Sequence, residues 1–547
     1  MGSDRMDALR IGYGAAESNL IDAMAAGRVD RRTFIRQGSI LGFTLPLIGA
    51  TFGSRPALAI AGLPGGSLRV GQLRPRTEIE PLKVSDAAGV IQLSTTGEYL
   101  CLNGADMILV PMLAERWSAN QDASVWTFKI RKGVKFHNGK PMTASDVVST
   151  FDRLTDPDNG SNALTLLAGY LSKGGTRKVD EDIVEFHLES AHGSFPYLVS
   201  SDNYNAIILP ADYRGDFETS FAATGPFKLE KFSPGVGSSF VRNGDYWGRP
   251  ALADRIEFTF LNDPAAQIQA LQAGQIDVMH PLPARLGATL GPDPRFEIIA
   301  VPSSAHHQVH MRCDLEPFRD PLVRKAVALC LDRPALAQNL TGGLAEIGND
   351  SPFAAVFPST DRSVPQRRRN MEEARRMMVA AGMADGFSVT LTTEKFLEIP
   401  DYARAIQEAV KVIGGRIDLE VLDQGAYYAD GVFGKSPWLE SPMGITDYDH
   451  RGLPNVCLSA SLRSDGAWNA AHYRNPAYDA LVASYIGAAD IEAQRQIAGQ
   501  IEKTLLADTP VIFAYFHKAM TAVRKGTTGV RTTAAGHLFL SEASPAR

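Results

Sequence analysis

Cysteine is scarce: the chain has four in 547 residues, at positions 101, 313, 330 and 457. None stands in a CxxC pair, so neither a disulfide scaffold nor a zinc ribbon is encoded. Buried free thiols are expected, with a disulfide in an oxidising compartment left open by the spacing. A basic block is also missing. Lysine and arginine total 55 against 61 acidic residues, a net charge of −6, which argues against a nucleic-acid coat. Fixed-period repeats and low-complexity linkers are absent as well. The remaining composition, 44% hydrophobic and 21% charged, is that of a folded chain long enough for two or three packed domains.

The N-terminus is different. Arg31-Arg32-Thr33-Phe34 precedes an uncharged run from Gln37 to Ser54, and Ala57-Leu58-Ala59 supplies small residues two apart. A basic head, a short apolar run and an A-x-A site make an export signal of twin-arginine type. The alternative is a membrane anchor, but Gly, Pro, Thr and Ser interrupt the run. Cleavage is expected near Ala59, so residues 1–59 are assigned to the signal. Its removal takes away seven arginines and five acidic residues, leaving a net charge of −8. No later segment is apolar enough to span a bilayer. A periplasmic, non-spanning and monomeric product is expected.

Strand and helix patterns alternate along the rest. Trp126, Phe128 and Ile130 fall on one face of a period-2 run, and 183–188, 256–261, 387–392 and 417–421 read as further strands. Thr143-Ala144-Ser145-Asp146 starts a helix with a capping box. Asn262-Asp263-Pro264 starts another that stops at Gly274. Helical periodicity also covers 371–381, 400–413 and 491–507. The fold class is mixed α/β, in lobes joined by short crossings.

One long segment resembles a known signature. Pro111-Met112-Leu113-Ala114-Glu115-Arg116-Trp117 is followed by Trp126-Thr127-Phe128 and by Gly133-Val134-Lys135-Phe136-His137-Asn138-Gly139-Lys140-Pro141-Met142-Thr143-Ala144-Ser145-Asp146. It resembles the family 5 extracellular solute-binding proteins, the peptide- and nickel-type binding proteins of ABC importers. Thr224-Gly225-Pro226-Phe227, Asn243-Gly244-Asp245-Tyr246-Trp247, Ala273-Gly274-Gln275-Ile276-Asp277 and Pro317-Phe318-Arg319-Asp320 through Ala326 are similar to further family elements in the same order. The resemblance covers about 65–530. On their own physics these motifs read as turns, helix starts and core, not as ligand contacts.

The resemblance implies a periplasmic-binding-protein-like fold: two lobes with a ligand cleft between them and an extra subdomain in the N-terminal lobe. Lobe one is expected to hold 65–305 plus 517–547, and lobe two 306–516. The implied function is capture of a short peptide or related amine-bearing solute for an ABC permease and its ATPase subunits. A metal chelate, an opine or a sugar conjugate is the alternative on the same scaffold. An exported enzyme is disfavoured, because G-x-S-x-G, H-E-x-x-H and P-loop motifs are missing. No cofactor is expected.

Candidate ligand contacts are Asp447, Tyr448, Arg451, Trp438 and Tyr427. Asp447 matches the family aspartate that holds a peptide's α-ammonium, and Tyr448 follows it. Where the family has Trp this chain has Gly444, and His450-Arg451 replaces the usual D-P. Arg451 suits a ligand carboxylate bidentately. Tyr427, Tyr428, Phe433 and Trp438 read either as a cleft wall or as core. His306 and His310 share a strand face while His307 points away. That pair alone lacks a third ligand, so no metal site is assigned. Arg367-Arg368-Arg369 reads as solvated surface.

Overall fold

The structure is a computed structural model. It describes residues 64–546 apart from 77, 105–106, 216 and 489–490, and isolated positions between 20 and 37. The twin-arginine pair and the Ala57–Ala59 site lie outside the described residues.

One large mixed sheet runs through the molecule. Its centre is a pair of long antiparallel strands, Phe296–Met311 and Val511–Arg524. The N-terminal halves of the first and the C-terminal halves of the second pair as Phe296–Pro302 with Lys518–Arg524. On that side Val278–Met279, Ser67–Leu73 and Arg255–Leu261 continue the sheet. Beyond shifts of register between Pro302 and Gln308, the same strands pair as His306–His310 with Val511–Phe516. There Met443–Tyr448, Phe387–Glu394 and Gly415–Leu422 carry the sheet on. Register shifts bend and twist paired strands, so the sheet changes direction between its two halves.

Each half has its own core. One cluster draws on residues 68–278 and closes with Val523, Val530, Leu538, Leu540 and Ala543. A second draws only on residues between Val309 and Tyr515. The first half also carries a four-stranded antiparallel sheet, Ala114–Ala119, Val125–Ile130, Ile183–His187 and Thr176–Asp180. This is the extra subdomain. Trp126, Phe128 and Ile130 are buried on its inner face, as the alternation predicts. All four cysteines are free, and three are buried.

The signature motifs pack on one another. Gly133 and Gly139 adopt φ of 81° and 85°, the left-handed turns that bracket Phe136. Asp146 accepts from the Thr143 N–H at 2.7 Å and starts the helix Ala144–Thr155. The Gly225 carbonyl accepts from Asn243 Nδ2, and His137 Nε2 lies 3.0 Å from it. Asp277 takes a forked pair of bonds from Arg69. Arg324 donates to the carbonyl of Asp508 at the end of the helix Ile491–Asp508. Arg367 corrects the reading of its run as solvated surface: its guanidinium and that of buried Arg333 both meet the buried Asp350 carboxylate.

Tyr246 and Trp247 both donate to buried Glu98, at 2.7 and 2.8 Å. Burial nevertheless lifts this carboxyl to about 7, against those two bonds. The folded chain therefore binds the Glu98 proton more tightly than the unfolded chain does. That stability is present below the unfolded value near 4.5 and is lost as pH rises through about 7. Across that window Glu98 is expected to remove up to about 3 kcal/mol. Glu502, also lifted to about 7 chiefly by burial, acts with the same sign. Denaturation midpoints between pH 4.5 and 8 should therefore fall less steeply in Glu98→Gln than in the parent. Equal slopes would show that the Glu98 carboxyl does not titrate in this range.

Candidate functional site

Strand register builds the centre of the site. His307 lies directly opposite Asp447 in the antiparallel pair, so both side chains project from one face of the sheet. His307 Nε2 and Asp447 Oδ1 are 3.2 Å apart; the histidine is 1% exposed and the aspartate 26%. Burial opposes the charged ring, yet the Asp447 carboxylate outweighs it and raises His307 above its ordinary range. Glu394 ends the neighbouring strand and is fully buried. It accepts from Tyr428 Oη and Gln424 Nε2, each at 2.6 Å, and from the Asp447 N–H at 3.4 Å. Asp447 is thus a partly exposed carboxylate backed by a buried polar layer.

The chain leaves the strand after Tyr448 and is pinned at once. His450 Nδ1 accepts from the Ser304 N–H at 3.0 Å, and Ser304 Oγ donates to the Arg451 carbonyl and accepts from its N–H. Ser304 belongs to a crossing strand, so the 449–451 loop is fixed to the bend in the sheet. The Arg451 guanidinium makes no ion pair among the described residues and lines a cavity of about 500 Å³. Tyr170, Asp202 and Tyr204 come to this cavity from one half of the molecule; Arg451, Arg463 and Trp468 come from the other. The two walls meet where Asn455 Nδ2 and His192 Nε2 lie 3.1 Å apart. They meet again at Gly452, where an added Cβ would stand 1.5 Å from Asp202 Oδ2.

The remaining candidates sit further back. Tyr427 is fully buried and donates to the Ile445 carbonyl. Trp438 is 6% exposed and packs in a small cluster with Tyr427, Leu439 and Ala470. Tyr448 is partly buried against this cluster and stacks on His306 at 5.4 Å. His306 and His310 do share a face. Each is committed to a carbonyl, of Ser304 and Ser441 respectively, and burial pushes both down to about 4. The His310 ring also accounts for Gly444: a Cβ there would meet His310 Cε1 at 2.5 Å and the Thr392 carbonyl at 3.0 Å. Sequence reasoning passed over His307, Glu394 and the wall from 161 to 205. Strand parity placed His307 opposite the face of His306, but its partner Asp447 became visible only with the register.

Two α/β lobes that share a bent sheet and enclose a charged cavity define a solute-binding protein. The profile of the bacterial extracellular solute-binding proteins, family 5 (middle region), matches residues 109–449. The chain belongs to that family. It is 23% identical over 488 residues to the dipeptide-binding protein DppE of Bacillus subtilis, covering 82% of this chain and 86% of DppE. It is 25% identical over 477 residues to the glutathione-binding protein GsiB of Salmonella choleraesuis, covering 83% and 89%. The fold matches the periplasmic binding protein DppA of Helicobacter pylori in complex with the peptide STSA, with a TM-score of 0.72, 19% identity, and coverage of 89% and 99%. Among the described residues, no helix is long and apolar enough to cross a membrane.

Proposed function

We propose that this chain is the periplasmic receptor of an ABC importer, and that it captures a short peptide or a related amine-bearing solute between its lobes. The Asp447 carboxylate takes the solute's ammonium group in a charge-assisted hydrogen bond. The Arg451 guanidinium, four residues on, takes a carboxylate. Four extended residues span at most about 14 Å, which caps the solute held between the two groups at about four residues. Tyr448, stacked on His306, packs with Trp438 and Tyr427 on the opposite face of the strand and holds the segment that carries the anchor. The observation that carries this reading is a partly exposed aspartate and an ion-pair-free arginine on one pinned segment, the arginine facing a cavity walled by both lobes.

Closure supplies the signal. A solute that touches both walls gains contacts only in the shut form and shifts the population toward it. The shut form is what a permease, powered by its ATPase subunits, recognises. The chain works as a monomer and makes or breaks no bond in its solute.

Thermal unfolding tests the solute class. Free di-, tri- and tetrapeptides should raise the melting temperature, because they bind the folded chain only. N-acetylated versions should raise it far less, since they lack the ammonium. If opines, metal chelates or sugar conjugates raise it and no free peptide does, the amine reading is wrong and the Arg451 cavity is the recognition element.

A further inference from the structure

Behind Asp447 lies a second cluster that amine capture does not use. His307 comes from one crossing strand and His517 from the other, and Glu398 precedes the helix Ile399–Val410. His307 Nδ1 is 4.0 Å from Glu398 Oε1, and His517 Nδ1 is 3.6 Å from the same oxygen. The two imidazole centroids are 4.4 Å apart. One donor atom from each of the three residues lies within 4.8 Å of the others. The His307 and Glu398 side chains are 1% and 9% exposed, and that of His517 is 16% exposed.

A buried polar atom without a partner is costly. His307 Nδ1, the ring nitrogen on the Glu398 side, is buried and has no hydrogen-bond partner among the described residues. His307 is oriented from its other side, since Nε2 meets Asp447 at 3.2 Å. In the neutral ring, a proton kept on Nε2 and donated to Asp447 leaves Nδ1 as a lone pair on the Glu398 side, and metal binding takes the place of any proton there. A carboxylate that fixes the far nitrogen of a ligating histidine is the usual outer shell of a metal site. Metal–nitrogen and metal–oxygen bonds are about 2.0–2.2 Å. Donor atoms around one ion therefore stand roughly 3.3–3.5 Å apart in a tetrahedron, slightly closer than these donors stand now.

We propose that His307, His517 and Glu398 bind one divalent first-row transition ion of the zinc or nickel class. Two imidazoles and one carboxylate suit these ions and not calcium or magnesium, which take oxygen donors. Three protein donors leave a fourth position for water or a solute atom. Such an ion is held by the chain itself. It joins the two crossing strands beside the bend in the sheet, and Asp447 acts as a positioning residue toward it through His307.

The test uses full-length protein stripped with a chelator and then given Zn²⁺ alone or Co²⁺ alone. One equivalent should bind, with Co²⁺ developing the visible absorption of a four- or five-coordinate nitrogen/oxygen site. Binding should weaken at least about 100-fold in His307→Ala and in His517→Ala, and about 10-fold in Asp447→Asn, as outer-shell changes do. Circular dichroism of each stripped variant checks that it is folded. If a variant does not fold, crystals of the parent soaked in Zn²⁺ decide by anomalous scattering at the zinc edge. A peak within bonding distance of His307 Nδ1, His517 and Glu398 supports the site. Less than half an equivalent bound by the parent, unchanged affinity in folded variants, or a peak only at another cluster, such as His472 with Asp314 at 3.4 Å and Glu440 at 3.9 Å, would overturn it. Peptide-induced stabilisation of the stripped parent reports separately on the solute reading.

Discussion

Asp447→Asn is expected to weaken binding of a free-amine peptide by about 2–4 kcal/mol, roughly 30- to 1,000-fold, because it removes one partner of a charge pair enclosed by protein. Asparagine keeps the shape and one acceptor oxygen, so the strand pairing with His307 survives. Calorimetric titration of parent and variant with the same peptide measures the loss. N-acetylated peptides should bind the two proteins alike, since neither then has an ammonium to hold. If Asp447→Asn leaves free-amine affinity within threefold of the parent, the anchor lies elsewhere.

Gly452→Val should have an effect of similar size by a different route. An added Cβ at 452 lands 1.5 Å from Asp202 Oδ2. That carboxylate cannot simply swing away, because both of its oxygens accept from Asn103 Nδ2, at 2.8 and 2.9 Å. The collision exists only while the walls are together. Overpacking of this kind costs about 1–3 kcal/mol or more, and here the cost falls on the shut form alone. Small-angle scattering should show a more extended variant that fails to compact when peptide is added. Affinity should fall by about 5- to 150-fold, the same free energy read as a ratio. Compaction equal to that of the parent would mean that the wall at 452 is not part of closure.

Much of the scaffold was legible because local rules and tertiary packing agree. The period-2 run at Trp126, Phe128 and Ile130 became a half-buried strand, and the capping residues at 143–146 and 262–264 began helices where they were expected. The helix expected over 491–507 spans Ile491–Asp508. Motif residues such as Gly225, Asn243 and Trp247 bond mainly to one another and to the core, which is why they identify a fold and say little about a solute. The site was legible only in part. Asp447 and Arg451 stood on a recognisable segment, but their neighbours His307, Glu394 and Glu398 lie 49 to 140 positions away from Asp447 in the sequence. Strand register, not spacing, puts them together. Arg367 was misread for the same reason: its partner Asp350 is buried by segments that a linear reading leaves apart.

The division of the two cores has a consequence for how the chain is made. The cluster between Val309 and Tyr515 is drawn from one uninterrupted stretch. The other cluster lacks Val523, Val530, Leu538, Leu540 and Ala543 until the final segment has emerged. Buried His537, 3.2 Å from the Tyr99 hydroxyl, belongs to that late arrival. On a ribosome the later-encoded lobe can therefore finish first, while the earlier-encoded one waits, with apolar surface open, for its last thirty residues. Truncation near residue 520 should spare the inserted lobe and leave the other to proteases, an asymmetry that limited digestion of nascent chains would expose.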